Sequence, residues 1–154
     1  MPLKVFLDTE FTDFIDPHMI SIGMASTSGE LFYAEVPYPS EKCSVFVRDI
    51  VIPLLGRIPD SQCAHTQLGA NILAWLEKIR RDQDIEICFD FETDWNLFSN
   101  SLGFPIPTWC KPRLISARNI NELLRYAFHK KKNLPEHHAL YDAQATRYAF
   151  RERS

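Results

Sequence analysis

Two carboxylates stand two residues apart at the end of the first apolar segment of the chain, where residues 4–7 lead into Asp8 and Glu10. The segment has the residue types of a β-strand, and side chains two apart on a strand point to the same face. Asp8 and Glu10 are therefore expected to project side by side. Like charges at this spacing repel each other unless a cation lies between them, and Mg²⁺ and Mn²⁺ prefer oxygen ligands. The pair predicts a divalent metal site.

A third carboxylate comes from the far end of the chain. Asp142 lies one turn into a predicted last helix, and the residues around it are small: Ala139, Ala143, Ala145, Thr146 and Ala149. Small side chains let a helix pack closely against a sheet, so a short aspartate on this helix would reach ions held at the end of the first strand. The alternative is an acid that faces solvent on an amphipathic helix.

The fourth carboxylate is expected from residues 88–95, which end a predicted strand and begin a helix. Asp90, Glu92 and Asp94 compete for this role. We assign Asp94, which lies in the first turn of the helix, where the helix dipole also favours an acid. An ordinary first-turn acid is the alternative. With Asp94 as the ligand, Asp90 would support the site from behind or face solvent.

His137 stands five positions before Asp142, in the loop ahead of the last helix. Imidazole titrates near neutral pH, so a histidine there can take a proton from an attacking water and release it later. His138 is its nearest rival. Four carboxylates that hold two ions about 3.5 to 4 Å apart, with a base beside them, are suited to hydrolysing a phosphodiester bond.

Taken in order, Asp8-x-Glu10, Asp94 and His137-x4-Asp142 resemble the motifs of the DEDDh exonucleases of the ribonuclease H-like superfamily, over nearly the whole chain. The resemblance implies that the four carboxylates bind two divalent ions, Mg²⁺ or Mn²⁺, and that His137 is the general base. It also implies stepwise release of nucleoside 5′-monophosphates from a 3′ end. Residues 8–11, 46–55 and 90–95 are most similar to compact bacterial and phage 3′ to 5′ exoribonucleases. Many family members have Asn where this chain has Asp90, which leaves the fourth ligand open between Asp90 and Asp94.

The residues that follow the first motif are candidates for holding a frayed 3′ end. By the resemblance, Phe11 and Phe14 would stack on the terminal bases or wedge them apart, and Thr12 would hydrogen-bond the terminal nucleotide. Stacking on aromatic rings tolerates any base sequence. Core packing is the alternative for both rings. We expect Trp75 to belong to the core, and Trp95 and Trp109 as well, with a stacking platform for bases as the alternative for these two.

A basic run at residues 130–132, together with Arg147 and Arg151, could follow a phosphate backbone. The alternative is a solvated helix end whose lysines compensate the helix dipole. The expected partners are single-stranded RNA or DNA 3′ ends or short oligonucleotides, with RNA favoured. The resemblance also implies a homodimer.

The composition fits one globular domain, at 154 residues and 45% hydrophobic, and we treat residues 1–154 as a single exonuclease domain. Four cysteines include no CxxC pair, and only Cys63-Ala64-His65 hints at zinc, so reduced thiols are expected. The net charge of −3 becomes +1 once two divalent ions are bound. The sequence shows no membrane-length apolar run and no leader pattern, which predicts a cytoplasmic protein.

The pattern of apolar residues predicts the elements that position these groups. Strands are expected over residues 4–9, 19–26, 31–36 and 84–91, with a short strand or extended segment at Ile115. Helices are expected over about 45–55, 66–80 and 93–102, from Asn119 or Asn121 to about 130, and over about 138–151. This order predicts an α/β fold, a mixed β-sheet flanked by α-helices, which the resemblance makes ribonuclease H-like.

Two other functional hypotheses use the same residues. One is a non-catalytic nucleic-acid-binding module with the same fold, although clustered acids would repel phosphate. The other is a phosphotransfer enzyme that uses Asp8 as a covalent nucleophile, although the second acid of the first motif is Glu10 rather than an aspartate.

Overall fold

A computed structural model describes residues 1–153, and its centre is a five-stranded mixed sheet. The strands are β1 (Leu3–Phe11), β2 (Met19–Ser26), β3 (Leu31–Glu35), β4 (Ile85–Phe89) and β5 (Cys110–Leu114), in the spatial order β3-β2-β1-β4-β5. β1, β2 and β3 are antiparallel neighbours, whereas β4 and β5 run parallel to β1. The carboxyl ends of β1, β4 and β5 therefore lie at one edge of the sheet.

Four α-helices cover the sheet: α1 (His65–Arg80), α2 (Glu92–Leu102), α3 (Glu122–Lys132) and α4 (Ala139–Ala149). Odd-numbered β1 residues such as Val5 and Leu7 share a core with buried residues of α1 and α2. The even-numbered Phe6 packs in a second core with Ala149 of α4. The alternation of side chains along β1 thus directs Asp8 and Glu10 to the α4 side and Thr9 to the α2 side.

α4 lies unusually close to β2, and Gly23 makes this approach possible. A Cβ atom at Gly23 would be 2.5 Å from the carbonyl carbon and oxygen of Ala139 and from Cα of Leu140. Ala139 and Ala143 are fully buried beneath the helix. Gly23 pairs with Asp8 in the β1–β2 ladder, so the point of closest approach lies beside the first carboxylate.

The α/β class and the order of the main elements are confirmed, and one local prediction is wrong. Residues 45–55 do not form a regular α-helix, because Val47–Val51 is a π-helical turn and Ile52–Leu54 a 3₁₀ turn that contains Pro53, which has no N–H to donate. The short strand expected at Ile115 is β5, which ends one residue earlier at Leu114, and the backbone N–H of Ile115 still donates to the carbonyl of Phe89 at 2.8 Å. Its pattern was obscured by Pro112, which is tolerated because β5 is an edge strand.

The beginnings of the last two helices also depart slightly from expectation. Asn121, rather than Asn119, caps α3 by accepting a hydrogen bond from the backbone N–H of Leu124 at 3.2 Å. α4 begins at Ala139 and ends at Ala149, inside the predicted bounds. Within residues 1–153, no helix has the length and apolar character needed to cross a membrane.

Candidate metal and catalytic centre

Strand register brings the first carboxylates together at the carboxyl edge of the sheet. Phe6 pairs with Cys88 in the parallel β1–β4 ladder, so Asp8 on β1 and Asp90 just beyond β4 lie level with each other. Glu10 follows on the same face of β1 as Asp8. Asp142 reaches this edge from the first turn of α4, the helix that packs on Gly23.

The carboxylates form two groups of three that share one member. In one group, ligand oxygens of Asp8, Glu10 and Asp142 all lie within 4.8 Å of one another. In the other, the same is true of Asp8, Asp90 and Asp94. Asp8 therefore lies between two sets of oxygen ligands. All four residues assigned from the sequence are brought together, and Asp90 joins them.

Asp94 is the most buried of these acids, with 3% of its surface exposed. The hydroxyl of Thr9 donates a hydrogen bond to its Oδ1 at 2.5 Å, from the face of β1 that α2 covers. Burial raises the pKa of Asp94 to about 7, with Asp90 and Asp142 acting in the same direction and the Thr9 hydrogen bond against it. Thr9 was not singled out in the sequence, where it is only the residue between two acids.

Asp90 has a different environment from Asp94. It is exposed, and its Oδ2 lies 3.2 Å from the guanidinium of Arg125 on α3. Arg125 also pairs with Glu122, one turn earlier on the same helix. Both middle-segment acids therefore reach Asp8, one held by the buried hydroxyl of Thr9 and the other by the half-buried Arg125.

Crowding of negative charge shapes the electrostatics of the centre. Burial, and after it the charges of Asp142 and Asp94, raises the pKa of Glu10 to about 8. Burial, followed by the repulsion of its carboxylate neighbours, raises the pKa of Asp8 well above its ordinary value. Groups that resist ionisation for these reasons are stabilised as anions by a nearby cation. The all-oxygen donor set fits hard divalent ions such as Mg²⁺ or Mn²⁺.

Asp142 is held from two sides. The backbone N–H of His137 donates to its two carboxylate oxygens at 3.1 and 3.3 Å. On the other side, Nε2 of His129 lies 3.3 Å from Oδ1. The His137 contact depends on a left-handed backbone, with φ of 67°, which directs its N–H back toward the start of α4.

His129 is a residue of the centre that the sequence analysis missed. Its Nδ1 lies 2.9 Å from the carbonyl oxygen of Leu134, and its Nε2 faces Asp142. Because both partners are acceptors, the protonated imidazolium satisfies both. The hydrogen bond to Asp142 accordingly raises the pKa of His129, against the effect of burial. No motif marks this position, since it lies in the last turn of a lysine-rich helix.

The side chain of His137 is exposed at the mouth of the site, where its ring meets that of Phe46 edge to face at 5.0 Å. Both histidines 129 and 137 line a hollow of about 360 Å³ together with Asp8, Asp90 and Asp142. His138, the alternative to His137 as the base, is only 2% exposed and is packed between Tyr33 and Tyr141. Burial lowers the pKa of His138 to about 4, so it is neutral and enclosed rather than available at the site.

Aromatic rings border the acidic centre on another side. Phe14 is 75% exposed and contacts both Phe11 and Phe91 edge to face, with centroids 5.4 and 5.6 Å apart. Phe91 lies between Asp90 and the start of α2, and the sequence analysis did not single it out. The three rings form a partly exposed cluster at the end of β1.

The expected role of Thr12 does not match its position. Its side chain is fully buried, and its hydroxyl accepts from the backbone N–H of His18 at 3.0 Å and donates to the carbonyl of Asp16 at 3.4 Å. Thr12 therefore closes the loop between β1 and β2, and its hydroxyl does not face solvent. A direct contact with a nucleotide would require this loop to open.

The remaining candidates lie where ordinary packing puts them. Trp75 and Trp95 pack against the main core, and Trp109 packs there too, with the guanidinium of Arg80 4.4 Å above its ring. Cys63 and His65 do not converge, since the thiol donates to the carbonyl of Ala64 and Nε2 of His65 lies 2.6 Å from the carbonyl of Pro37. Within residues 1–153, every group of side chains arranged to hold a metal consists of acids alone.

A larger hollow, about 680 Å³ in volume, lies away from this centre. It lies beyond the end of β3 and is lined by residues such as Glu35, Tyr38 and Cys63. It has no cluster of acids comparable to the one around Asp8, so size alone does not mark it as a reaction site. No family model and no curated protein matches the chain.

Proposed function

We propose that this chain is a metal-dependent 3′ to 5′ exonuclease of the DEDDh type with a ribonuclease H-like fold. The observation that carries the proposal is the position of Asp8 between two groups of carboxylates, Asp8-Glu10-Asp142 and Asp8-Asp90-Asp94. A carboxylate shared by two adjacent groups of oxygen ligands is an arrangement suited to holding two divalent ions a few ångströms apart. The mixed sheet with helices on both faces provides the scaffold.

Bound at these carboxylates, two Mg²⁺ or Mn²⁺ ions would supply Lewis-acid stabilisation of the charge that develops on the phosphoryl and leaving oxygens. Asp8 would be shared by both ions, with Glu10 and Asp142 on one side and Asp94 on the other. Asp90 would bind an ion directly or keep its ion pair with Arg125, and these roles are mutually exclusive for the oxygen that faces the arginine. The raised pKa values of Asp8, Glu10 and Asp94 fall back when cations are bound.

His137 would take the proton from the attacking water. It lines the same hollow as Asp8 and Asp142, and its side chain is exposed, so it can exchange the proton with solvent after each turnover. Its backbone N–H is already bonded to Asp142, which ties the position of the base to that of a metal ligand. His129, engaged at both ring nitrogens, would instead hold Asp142 in place.

The exposed cluster of Phe11, Phe14 and Phe91 supports a single-stranded substrate. Unpaired bases stack on aromatic rings, with a free energy of about 1 to 3 kcal/mol per base. We propose RNA 3′ ends or short oligonucleotides as the main substrates, with single-stranded DNA as a second one. A preference for RNA requires a contact to the 2′-hydroxyl.

A gel time course tests this function directly. Single-stranded RNA and matched DNA, both labelled at the 5′ end, are incubated with the protein in Mg²⁺, Mn²⁺ or EDTA. We expect a ladder that shortens from the 3′ end, requires metal and is lost in His137→Ala. His65→Ala is the matched control, because His65 is exposed and bonds only the carbonyl of Pro37. A wild type that binds both polymers and shortens neither in any metal would leave a binding module as the better description.

Two further properties belong to the proposal. We propose a homodimer, which sedimentation at micromolar concentration tests, since a single 18 kDa species would contradict it. We also propose a cytoplasmic location, consistent with four cysteines that are all free thiols.

A further inference from the structure

Three flat side chains are stacked beside the carboxylate centre, and an arginine lies over the last of them. Tyr33 of β3 stacks on His138 with ring centroids 4.7 Å apart, and His138 stacks on Tyr141 of α4 at 3.9 Å, with interplanar angles of 21° and 18°. We call these three rings the aromatic column. The guanidinium carbon of Arg57 lies 5.7 Å from the centroid of Tyr141. The column therefore connects β3, an edge strand of the sheet, to the exposed Arg57.

A buried acid fixes the turn that carries Arg57. Glu35 is only 6% exposed, and its carboxylate accepts hydrogen bonds from the hydroxyl of Tyr33 at 2.7 Å and from the backbone N–H of Gly56 at 3.0 Å. Gly56 has φ of 81°, a conformation that glycine adopts without strain. Glu35 thus holds both the first ring of the aromatic column and the residue before Arg57.

This support is extensive for an arginine on the surface. His138 has no hydrogen-bond partner for either ring nitrogen, although both are buried. A buried polar ring without partners costs free energy. Here the ring contributes its two flat faces to the column, between Tyr33 and Tyr141.

Arg57 faces a hollow that adjoins the carboxylate centre. The hollow is about 410 Å³ in volume, and Lys130 and Glu136 line it as well. Tyr126, His129 and Glu136 border both this hollow and the one that contains Asp8 and Asp142, so the two are neighbours. Tyr141, which carries Arg57 over its ring, directly precedes Asp142 in α4.

The hollow lined by Arg57 and Lys130 has the charge expected of a site for an anion. Among residues 1–153, neither Arg57 nor Lys130 forms an ion pair with a carboxylate, and Nζ of Lys130 lies 5.8 Å from the centroid of the Tyr126 ring. Glu136 is the single acid that lines the hollow against these two cations. Lys131 and Lys132, the other members of the basic run, do not line it.

We propose that Arg57, assisted by Lys130, binds the backbone phosphate immediately 5′ of the one that is cleaved. The proposal rests on the proposed function. An enzyme that removes the last nucleotide meets no phosphate on the 3′ side of the scissile one, so a second phosphate must lie on the 5′ side. A guanidinium forms paired hydrogen bonds with phosphate oxygens. An arginine that is positioned in advance loses less conformational entropy when it binds.

Oligonucleotides in which single phosphodiester linkages have been made uncharged can identify the phosphate that Arg57 contacts. Short single-stranded oligonucleotides are prepared with one linkage at a time replaced by an uncharged methylphosphonate, and their binding is measured by titration calorimetry in Ca²⁺. For the wild type, we expect neutralisation of the second linkage from the 3′ end to weaken binding by about tenfold or more, the usual scale for a hydrogen bond to a charged group. Arg57→Gln should weaken binding of the unmodified strand similarly and lose its sensitivity at that linkage alone.

The controls separate this contact from a general loss of charge. Arg81→Gln removes the same charge from an exposed position in the turn before β4, at the opposite edge of the sheet, and should reproduce the wild-type pattern. Lys130→Gln should reduce the effect of the second linkage without removing it. An Arg57→Gln variant that keeps the wild-type sensitivity at the second linkage, or that weakens every strand by the same factor, overturns the proposal.

The two proposals fail in different ways. If Arg57→Gln shows the expected linkage pattern but no strand is cleaved in Mg²⁺ or Mn²⁺, the phosphate site stands and the exonuclease function does not. If strands are cleaved from the 3′ end but the linkage pattern is the same in Arg57→Gln and wild type, the function stands and the phosphate site is wrong. No binding of any strand by the wild type contradicts both.

Discussion

Replacing Asp94 by asparagine should make the metal-free protein more stable at alkaline pH while removing its activity. Asp94 is buried and has a pKa of about 7, compared with 3.8 for an ordinary aspartate. The folded chain therefore binds this proton more tightly than the unfolded chain does. Stability from this group is fully present at pH below the unfolded pKa and is lost as pH rises through the folded pKa of about 7.

The magnitude follows from the size of the pKa difference. Each pKa unit corresponds to about 1.4 kcal/mol, so the raised pKa of Asp94 lowers the free energy of unfolding by about 4 kcal/mol at pH 8, where Asp94 is ionised in both states, and by about 2 kcal/mol at pH 5, where it is ionised only in the unfolded state. Asparagine has the same shape and no charge, and its side-chain oxygen can still accept the hydrogen bond from Thr9. The variant should exceed the wild type in free energy of unfolding by about 2 to 4 kcal/mol at pH 8, and by less at pH 5.

Urea unfolding in EDTA at pH 5 and pH 8 measures both quantities. The control is Asp82→Asn, because Asp82 is exposed in the turn between α1 and β4, away from the acidic cluster. It should leave both free energies unchanged. A variant Asp94→Asn that is less stable than the wild type at pH 8 would refute the reasoning, since the carboxylate would then stabilise the fold through Thr9 by more than its buried charge costs.

Three further predictions follow from the geometry of the centre. Gly23→Ala should lower the free energy of unfolding by about 1 to 3 kcal/mol and activity by about a hundredfold, because the new Cβ would meet Ala139 at 2.5 Å and push α4, with Asp142, away from Asp8. Urea unfolding and the gel assay measure these two effects, and full activity of the variant would contradict the prediction. His129→Ala should weaken Mn²⁺ affinity by about 10- to 100-fold in calorimetry, because Asp142 loses a partner at 3.3 Å, and unchanged affinity would exclude the positioning role. Adding Mn²⁺ should raise the melting temperature more at pH 8 than at pH 6, because the ion binds Glu10 and Asp94 in their deprotonated forms and the pKa values of both are raised. An equal rise in melting temperature at both pH values would count against binding at these acids.

Local rules were sufficient for the parts of the centre that lie on single elements. The two-residue period of a strand places Asp8 and Glu10 on one face, and that prediction requires no knowledge of the rest of the fold. The small residues around Asp142 indicated a helix packed tightly on a sheet, and Ala139 and Ala143 are indeed fully buried there. Both the spacing of Asp8 and Glu10 and the small residues around Asp142 lie within short segments, so they can be read from the sequence alone.

The missed residues depend on contacts between distant elements. His129 faces Asp142 because α3 packs beside α4, and Arg125 reaches Asp90 across 35 positions of sequence. Gly23 matters because of the helix that lies over it, not because of its neighbours in β2. In a single sequence, each of these residues looks like an ordinary surface or strand residue.

The separation of the carboxylates along the chain also governs when the centre can form. Asp8 belongs to β1, the first strand, whereas Asp142 belongs to α4, which packs on β2 at Gly23. A nascent chain that ends just before α4 has three of the assigned acids and His137 but lacks Asp142, the residue that His129 contacts. Under the proposed function, the growing chain is therefore inactive until α4 has been synthesised and has docked on the sheet.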